Sequence, residues 1–246
     1  KVALVIGAGS VGDGYGNGKA AAVLYAREGA KIFAVDIDGD AVAETRKIIE
    51  DEGGTCETHS GDAMKSDQVE AMVESCMATF GCIDILHNNV AINEKGGPVE
   101  ASEESWDRVM DTNVKGPFFL TQRLLPLLEA GATAEDPARV VNVGSIDGLS
   151  TPVFETFSYG PSKAAIHHLT RVLASHLAKR NILVNAIAPG LVETDMIETA
   201  PVEMIVKMIP ARRIGKPEEV ASLAAWLASD GAAYVTGQCI VMSGGL

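Results

Sequence analysis

This chain of 246 residues is short of paired thiols, of long apolar runs and of positive charge. Its four cysteines, Cys56, Cys76, Cys82 and Cys239, form no Cys-x-x-Cys pair, and no histidine cluster stands beside them. That argues against a thiolate metal site or a redox dithiol; no metal is expected, only buried or half-buried free thiols in a reducing cytosol. No stretch approaches the ~20 apolar residues of a membrane span; residues 20–26 form a run that is too short. The first residues lead directly into a strand, so no signal peptide is expected. Lys and Arg number 20 against 33 Asp and Glu, giving a formal charge of -13 and a pI ≈ 4.8. Such a surface repels phosphate backbones and anionic lipid, which argues against nucleic acid and membrane as partners. The expectation is a soluble, cytoplasmic protein.

What the chain has instead is apolar material in regular bursts. Hydrophobic residues make up 47 % and charged residues 22 %, so a substantial core can be buried. Runs at residues 2–6, 31–35, 54–60, 82–87, 139–143, 182–187 and 238–242 read as strands. Amphipathic stretches at 16–28, 39–52, 66–80, 102–129, 159–179 and 217–228 read as helices, with Ser66 as the N-cap of the third. Residues 131–138 read as a surface insertion. Repeated β-α-β units with apolar strands predict an α/β fold: a doubly wound, Rossmann-type parallel sheet of about seven strands, helices on both faces and right-handed crossovers. No linker, repeat or low-complexity segment interrupts it, so residues 1–246 are expected to form one dinucleotide-binding domain with no separate substrate domain.

The first β-α junction carries Gly7, Gly9, Gly12, Gly14, Gly16 and Gly18. Gly7, Gly9 and Gly12 match Gly-x-Gly-x-x-Gly, a weak pattern that gains force from the strand before it and the helix after. Glycines let the backbone approach a pyrophosphate, and a helix N-terminus offers free N–H groups and partial positive charge. Each glycine inside a helix costs ~1 kcal/mol, so the helix should open near Gly16 or Asn17. Gly7, Gly16 and Gly18 would then form the phosphate-contacting turn, with the intervening residues bulging out. Asp36, after the second strand, is placed to accept hydrogen bonds from ribose hydroxyls and to repel a 2′-phosphate. The following Ile37-Asp38-Gly39-Asp40 holds no Arg or Lys, which favours NAD over NADP. A solvated turn acid would look the same. Asp62, after the third strand, stands where an adenine edge would lie, or simply starts a helix.

Tyr159 and Lys163 lie four apart at the start of a helix and share a face. A free phenol, with a pKa of about 10, is a poor base at neutral pH, and a neighbouring ammonium favours phenolate. Ser145 ends the preceding strand at the carboxyl edge, where its hydroxyl can hold a substrate oxygen while Tyr159 exchanges the proton. The spacing alone is cheap: Tyr15 and Lys19 match it as well, but inside the glycine loop.

With these residues in view, the chain resembles the single-domain branch of the short-chain dehydrogenases/reductases along essentially its whole length. The resemblance rests on the glycine loop, Asp62, Asn88-Asn89-Val90-Ala91, Asn113 in DTNVKG, Ser145 in VNVGS, YGPSK at 159–163, VNAIAPG at 184–190, Thr194 and the tail GQCIVMSGG. It implies that Ser145 positions the carbonyl, that Tyr159 is the acid/base, and that Lys163 binds the nicotinamide ribose and lowers the tyrosine pKa. Asn113 would hold a water linking Lys163 to solvent. Asn89 and Val90 would line the cofactor, while Ile187, Pro189, Gly190 and Thr194 would bracket its nicotinamide end. The chain departs from the family pattern in carrying Ile6 where threonine is usual, a longer stretch between Gly7 and Gly16, and Val90-Ala91 where Ala-Gly is usual. Enoyl-reductase relatives share a long glycine loop but space the catalytic Tyr and Lys differently.

The expected reaction is NAD-dependent interconversion of a secondary alcohol and a ketone. A lid at about residues 194–210, with Met196, Ile197, Met204, Ile205 and Met208, suggests a largely apolar small-molecule substrate, although plain helix packing would use the same residues. Val153, Phe154 and Phe157 would add an apolar wall. The motifs around VNVGS and YGPSKAA also resemble ketoacyl reductases, which commonly use NADPH. A nucleotide-sensing regulator without turnover is a rival, but such relatives typically lack the Tyr and Lys present here. The family implies a homo-oligomer, tetramer or dimer.

Overall fold

The computed structural model describes residues 1–10, 12, 14–152, 154–194 and 202–246. Seven strands form one sheet: β1 Val2–Ile6, β2 Lys31–Asp36, β3 Thr55–Ser60, β4 Ile85–Asn88, β5 Ala138–Val143, β6 Ile182–Pro189 and β7 Cys239–Met242. Their spatial order is β3-β2-β1-β4-β5-β6-β7, and every neighbouring pair is parallel. Among the described residues, eight α-helices accompany them: α1 Asn17–Arg27, α2 Gly39–Asp51, α3 Ser66–Phe80, α4 Glu103–Met110, α5 Gly116–Gly131, α6 Tyr159–Leu177, α7 Val202–Met208 and α8 Pro217–Ala228.

The strand period of two splits the core into two layers. Ala3 and Val5 of β1 face Ala20, Val23, Val220 and Ala224 of α1 and α8, whereas Leu4 and Ile6 face Met72, Leu124 and Leu177 of α3, α5 and α6. Both faces are therefore covered, which is why β1, β5 and β6 are buried along their whole length and read as continuous apolar runs. No helix among the described residues is long and apolar enough to cross a membrane.

Three local readings need correction. The stretch 102–129 is helical but not regular: a π turn, Asp111–Lys115, lies between α4 and α5, and there the Asn113 side chain is drawn inward. Ser66 is not the N-cap of α3; Lys65 occupies that place in extended conformation with no side-chain cap, and Ser66 is the first helical residue. The fourth strand begins at Ile85; Asp84, just before it, takes the Val2 N–H on its carboxylate at 2.6 Å. Within the expected lid, α7 and Thr194 are described, and Met196 and Ile197 lie outside the described residues.

Candidate active site

Because all seven strands run the same way, their carboxyl ends share one edge of the sheet. The winding reverses between β1 and β4, where helices depart to opposite faces and a crevice opens. Gly7 follows β1, Asp36 closes β2, Asp62 follows β3, Asn89 and Val90 follow β4, Ser145 follows β5, and Pro189 closes β6 just before Gly190. The fold thus brings residues up to 183 positions apart in sequence (7 to 190) to a single edge.

At the glycine loop, Gly7 takes φ +78, donates its N–H to the Val35 carbonyl at 2.8 Å and accepts Asn89 Nδ2 at 2.9 Å. A Cβ on Gly18 would sit 1.9 Å from that same Gly7 oxygen, so the approach of α1 to the end of β1 admits only glycine there. Helix α1 opens at Asn17, with Gly16 as N-cap and no side chain capping its first turn. Asn17 Oδ1 is buried without a hydrogen-bond partner. A close glycine cradle and an uncapped helix start fit the pyrophosphate of a dinucleotide. Gly9, at the start of the lengthened segment, donates to Asp36 Oδ2 at 2.8 Å, and Asp38, just after β2, donates to Oδ1 at 3.1 Å. Each Asp36 oxygen keeps a further lone pair for a hydroxyl donor. Asp62 accepts the Met64 N–H at 2.9 Å, with the Lys65 ammonium 3.9 Å away, so it also shapes the turn into α3.

The second Tyr-x-x-x-Lys has a different fate. Lys19 is buried, with Nζ 5.2 Å from the Tyr15 ring centroid, but it bonds Glu44 of α2 at 2.8 Å and the Gly14 carbonyl at 3.4 Å. It ties down the loop rather than facing the strand edge.

At the start of α6, Lys163 Nζ lies 5.5 Å from the Tyr159 ring centroid and donates to the Val143 carbonyl at 2.8 Å, at the end of β5. Burial pushes the Tyr159 phenol up to about 12; the Ser145 hydroxyl pulls it down by hydrogen bonding, and the Asp147 carboxylate adds to the rise. Burial likewise pushes the Lys163 ammonium down to about 7. In the ligand-free chain, desolvation therefore outweighs the acidifying effect expected of the lysine. Asn113 is buried beside this cluster. Its Oδ1 accepts the Ile92 N–H at 2.8 Å, and its Nδ2 donates to the Ile92 carbonyl at 2.9 Å and to Ser162 Oγ at 3.0 Å. Both amide hydrogens are taken, so the side chain clamps α6 to the segment after β4.

One neighbour of this cluster carries no sequence signature. Asp147 donates its backbone N–H to Ser145 Oγ at 3.2 Å, and burial raises its carboxyl pKa. Beneath them runs a buried amide ladder: Asn88 Nδ2 donates to Asn142 Oδ1 at 2.8 Å, and Asn142 Nδ2 donates to Thr170 Oγ1 at 2.9 Å. It locks β4, β5 and α6 in register. On the far side, the Gly190 N–H donates to Met242 at 2.8 Å, Thr194 Oγ1 contacts the Val192 carbonyl at 3.4 Å, and Ala211 bonds Gly244 at 2.9 Å. These bonds hold the segment bearing α7 at the same sheet edge.

A doubly wound sheet presenting a glycine cradle, a strand-end carboxylate and a buried Ser–Tyr–Lys group along one edge defines a nucleotide-dependent oxidoreductase. Comparison with known proteins makes the class specific. The family model described as "Enoyl-(Acyl carrier protein) reductase" matches residues 12–246. The chain is 39% identical over 249 residues to the 3-oxoacyl-[acyl-carrier-protein] reductase FabG of Thermotoga maritima, covering 100% of this chain and 97% of that protein. Among solved structures it is similar to the Pseudomonas aeruginosa RhlG/NADP active-site complex (TM-score 0.93, 35% identity, 100% and 95% of the two chains). It is also similar to the 3-ketoacyl-(acyl-carrier-protein) reductase of Brucella melitensis complexed with NADH (TM-score 0.92, 32% identity, 100% and 97%). The chain belongs to the short-chain dehydrogenase/reductase family, enzymes that act on CH–OH groups with NAD(P).

Proposed function

We propose that this enzyme interconverts a ketone and a secondary alcohol with NAD(H), and that Ser145, Tyr159 and Lys163 carry the reaction. The observation that carries this reading is the grouping of Ser145, Tyr159 and Lys163 at the carboxyl edge of the sheet, with Lys163 Nζ 5.5 Å from the Tyr159 ring centroid and the Ser145 hydroxyl acting on the phenol. Gly7, Gly16 and Gly18 would cradle the pyrophosphate, Asp36 the adenosine ribose, Asp62 the adenine edge, and Asn89, Val90, Pro189, Gly190 and Thr194 the remainder of the dinucleotide. Bound nicotinamide supplies a hydride donor or acceptor.

The chain's own groups do the rest. Ser145 Oγ holds the substrate oxygen. Tyr159, protonated at neutral pH, gives its proton to that oxygen as a ketone is reduced and takes it back in the opposite direction. Lys163 donates toward whatever oxygen lies above α6 and is a ready cation there, since an anionic neighbour restores the charge that burial removes. Asp36 supports NAD over NADP: a 2′-phosphate would meet a carboxylate with Asp38 and Asp40 beside it and no free cation in that run. Half-exposed Phe154, Phe157, Met204 and Met208 support a largely apolar substrate body beneath a lid at 194–210.

A second reading, reduction of a 3-oxoacyl thioester with NADPH, is supported by what the relatives are called. It uses the same proton chemistry on the same type of carbonyl. Fluorescence titration with NADH and NADPH separates the cofactors. Rates with secondary alcohols, an acetoacetyl thioester and a crotonyl thioester separate the substrates. Tyr159→Phe is expected to lower turnover by roughly 10²- to 10⁴-fold with NADH affinity unchanged; near-normal turnover in that variant would rule out the assignment.

A further inference from the structure

Helix α6 carries Tyr159, Lys163 and His167 at four-residue intervals, so all three lie on one face. His167 is fully buried, and the chemistry above makes no use of it. Its Nε2 accepts the backbone N–H of Ser145 at 3.3 Å. Two glycines make room for the ring: a Cβ on Gly144 would lie 2.1 Å from Nε2, and a Cβ on Gly148 would lie 2.9 Å from Cε1. The imidazole thus fills the gap between the end of β5, the turn bearing Asp147, and α6. Burial is the largest influence on it and pushes its pKa down to about 4, with Lys163 and Arg171 adding to the fall. The Gly148 carbonyl pulls the other way, although Nδ1 makes no hydrogen bond of full geometry. At neutral pH the ring is uncharged, the state in which one nitrogen keeps a lone pair for the Ser145 amide.

We propose that His167 is a positioning residue for Ser145: in its Nδ1–H tautomer, Nε2 holds the Ser145 amide and so fixes the hydroxyl that meets the substrate oxygen beside Tyr159. The proposal rests on the roles given to Ser145 and Tyr159 above. His167 touches no reacting atom. Its loss leaves a buried N–H unpaired at the start of the turn and lets Ser145 drift relative to the phenol, while the cofactor cradle on the β1 side is untouched.

One arm of the test needs neither turnover nor a variant. Long-range ¹H–¹⁵N spectra of the full-length, ligand-free chain, labelled in histidine, should show His167 Nε2 as an unprotonated, hydrogen-bond-accepting nitrogen and Nδ1 as protonated at neutral pH. A protonated Nε2 overturns the proposal even if the enzyme proves fully active. The second arm compares His167→Leu, which fills the volume without an acceptor, with His167→Gln, which restores one. The leucine variant should lose about 10- to 100-fold in kcat, keep its NADH Kd, and show its alkaline rise in oxidation rate at higher pH, because the hydroxyl that holds the phenol pKa down is loosened. Lys163 and Asp147, the charged groups facing that phenol, are unchanged in both variants. Glutamine should recover most of the rate and the wild-type profile. A leucine variant with normal kcat and an unmoved profile, or glutamine no better than leucine, overturns the proposal. Wild-type protein that turns over no alcohol or ketone would overturn the functional reading instead, and the imidazole spectrum would then decide the placement of His167 alone.

Discussion

At the scale of single residues, Tyr159 and Lys163 are both driven toward neutrality by burial, the phenol to about 12 and the amine to about 7. Two outcomes follow from the direction of these shifts. Asp147 is one of the groups that raise Tyr159, so Asp147→Asn should move the alkaline limb of the oxidation rate to lower pH, read from a kcat/KM profile. Lys163 has a folded pKa below its ordinary 10.5, so between about 7 and 10.5 the unfolded chain binds the extra proton and stability rises with pH. Lys163→Met should abolish turnover yet remove this component, leaving a ligand-free protein whose melting temperature at pH 7 is no lower than wild type and varies less with pH. Ser145, Tyr159 and Lys163 were legible as residues because their spacing and their place in the β-α order are local facts. Asp147 and His167 were not: the carboxylate matters only through its nearness to a phenol twelve positions on, and the imidazole through a slot made by two glycines across the sheet edge.

At the scale of elements, the glycine loop makes the clearest demand. A Cβ on Gly18 meets a backbone oxygen that cannot swing aside, whereas one on Gly14 meets nothing within 4 Å. Gly18→Ala should therefore depress both melting temperature and NADH affinity, while Gly14→Ala leaves both near wild type; calorimetry and fluorescence titration measure the pair. The start of α1 was readable because glycine is poor in a helix interior, and the helix does begin at Asn17. The π turn between α4 and α5 was not, since the apolar period runs on through it and the bonds of Asn113 to Ile92 and Ser162 appear only in the fold. The capping error at Ser66 has a similar root: a serine beside an acidic residue is a good local signal, yet the chain enters α3 one residue earlier, through Lys65.

At the scale of the whole molecule, acid is the exposed flank. His87, bonded to Tyr25 at 3.0 Å in the core, is pushed down to about 4 by burial, as is His167. Both are neutral in the fold and take up protons once it opens, so stability is lost as pH falls from 6.5 toward 4, by ~1.4 kcal/mol per pH unit for each histidine. Urea midpoints at several pH values across that window should show the decline. The sheet order carries a different kind of consequence. The interior strand β1 pairs on one side with β2, which follows closely in sequence, and on the other with β4, which is synthesised only some eighty residues later. While the chain grows, a nascent β3-β2-β1 ribbon has a bare apolar flank that nothing local can cover. Newly made protein should therefore lean on chaperones or slow, cool expression until residues 85–88 arrive to close that flank.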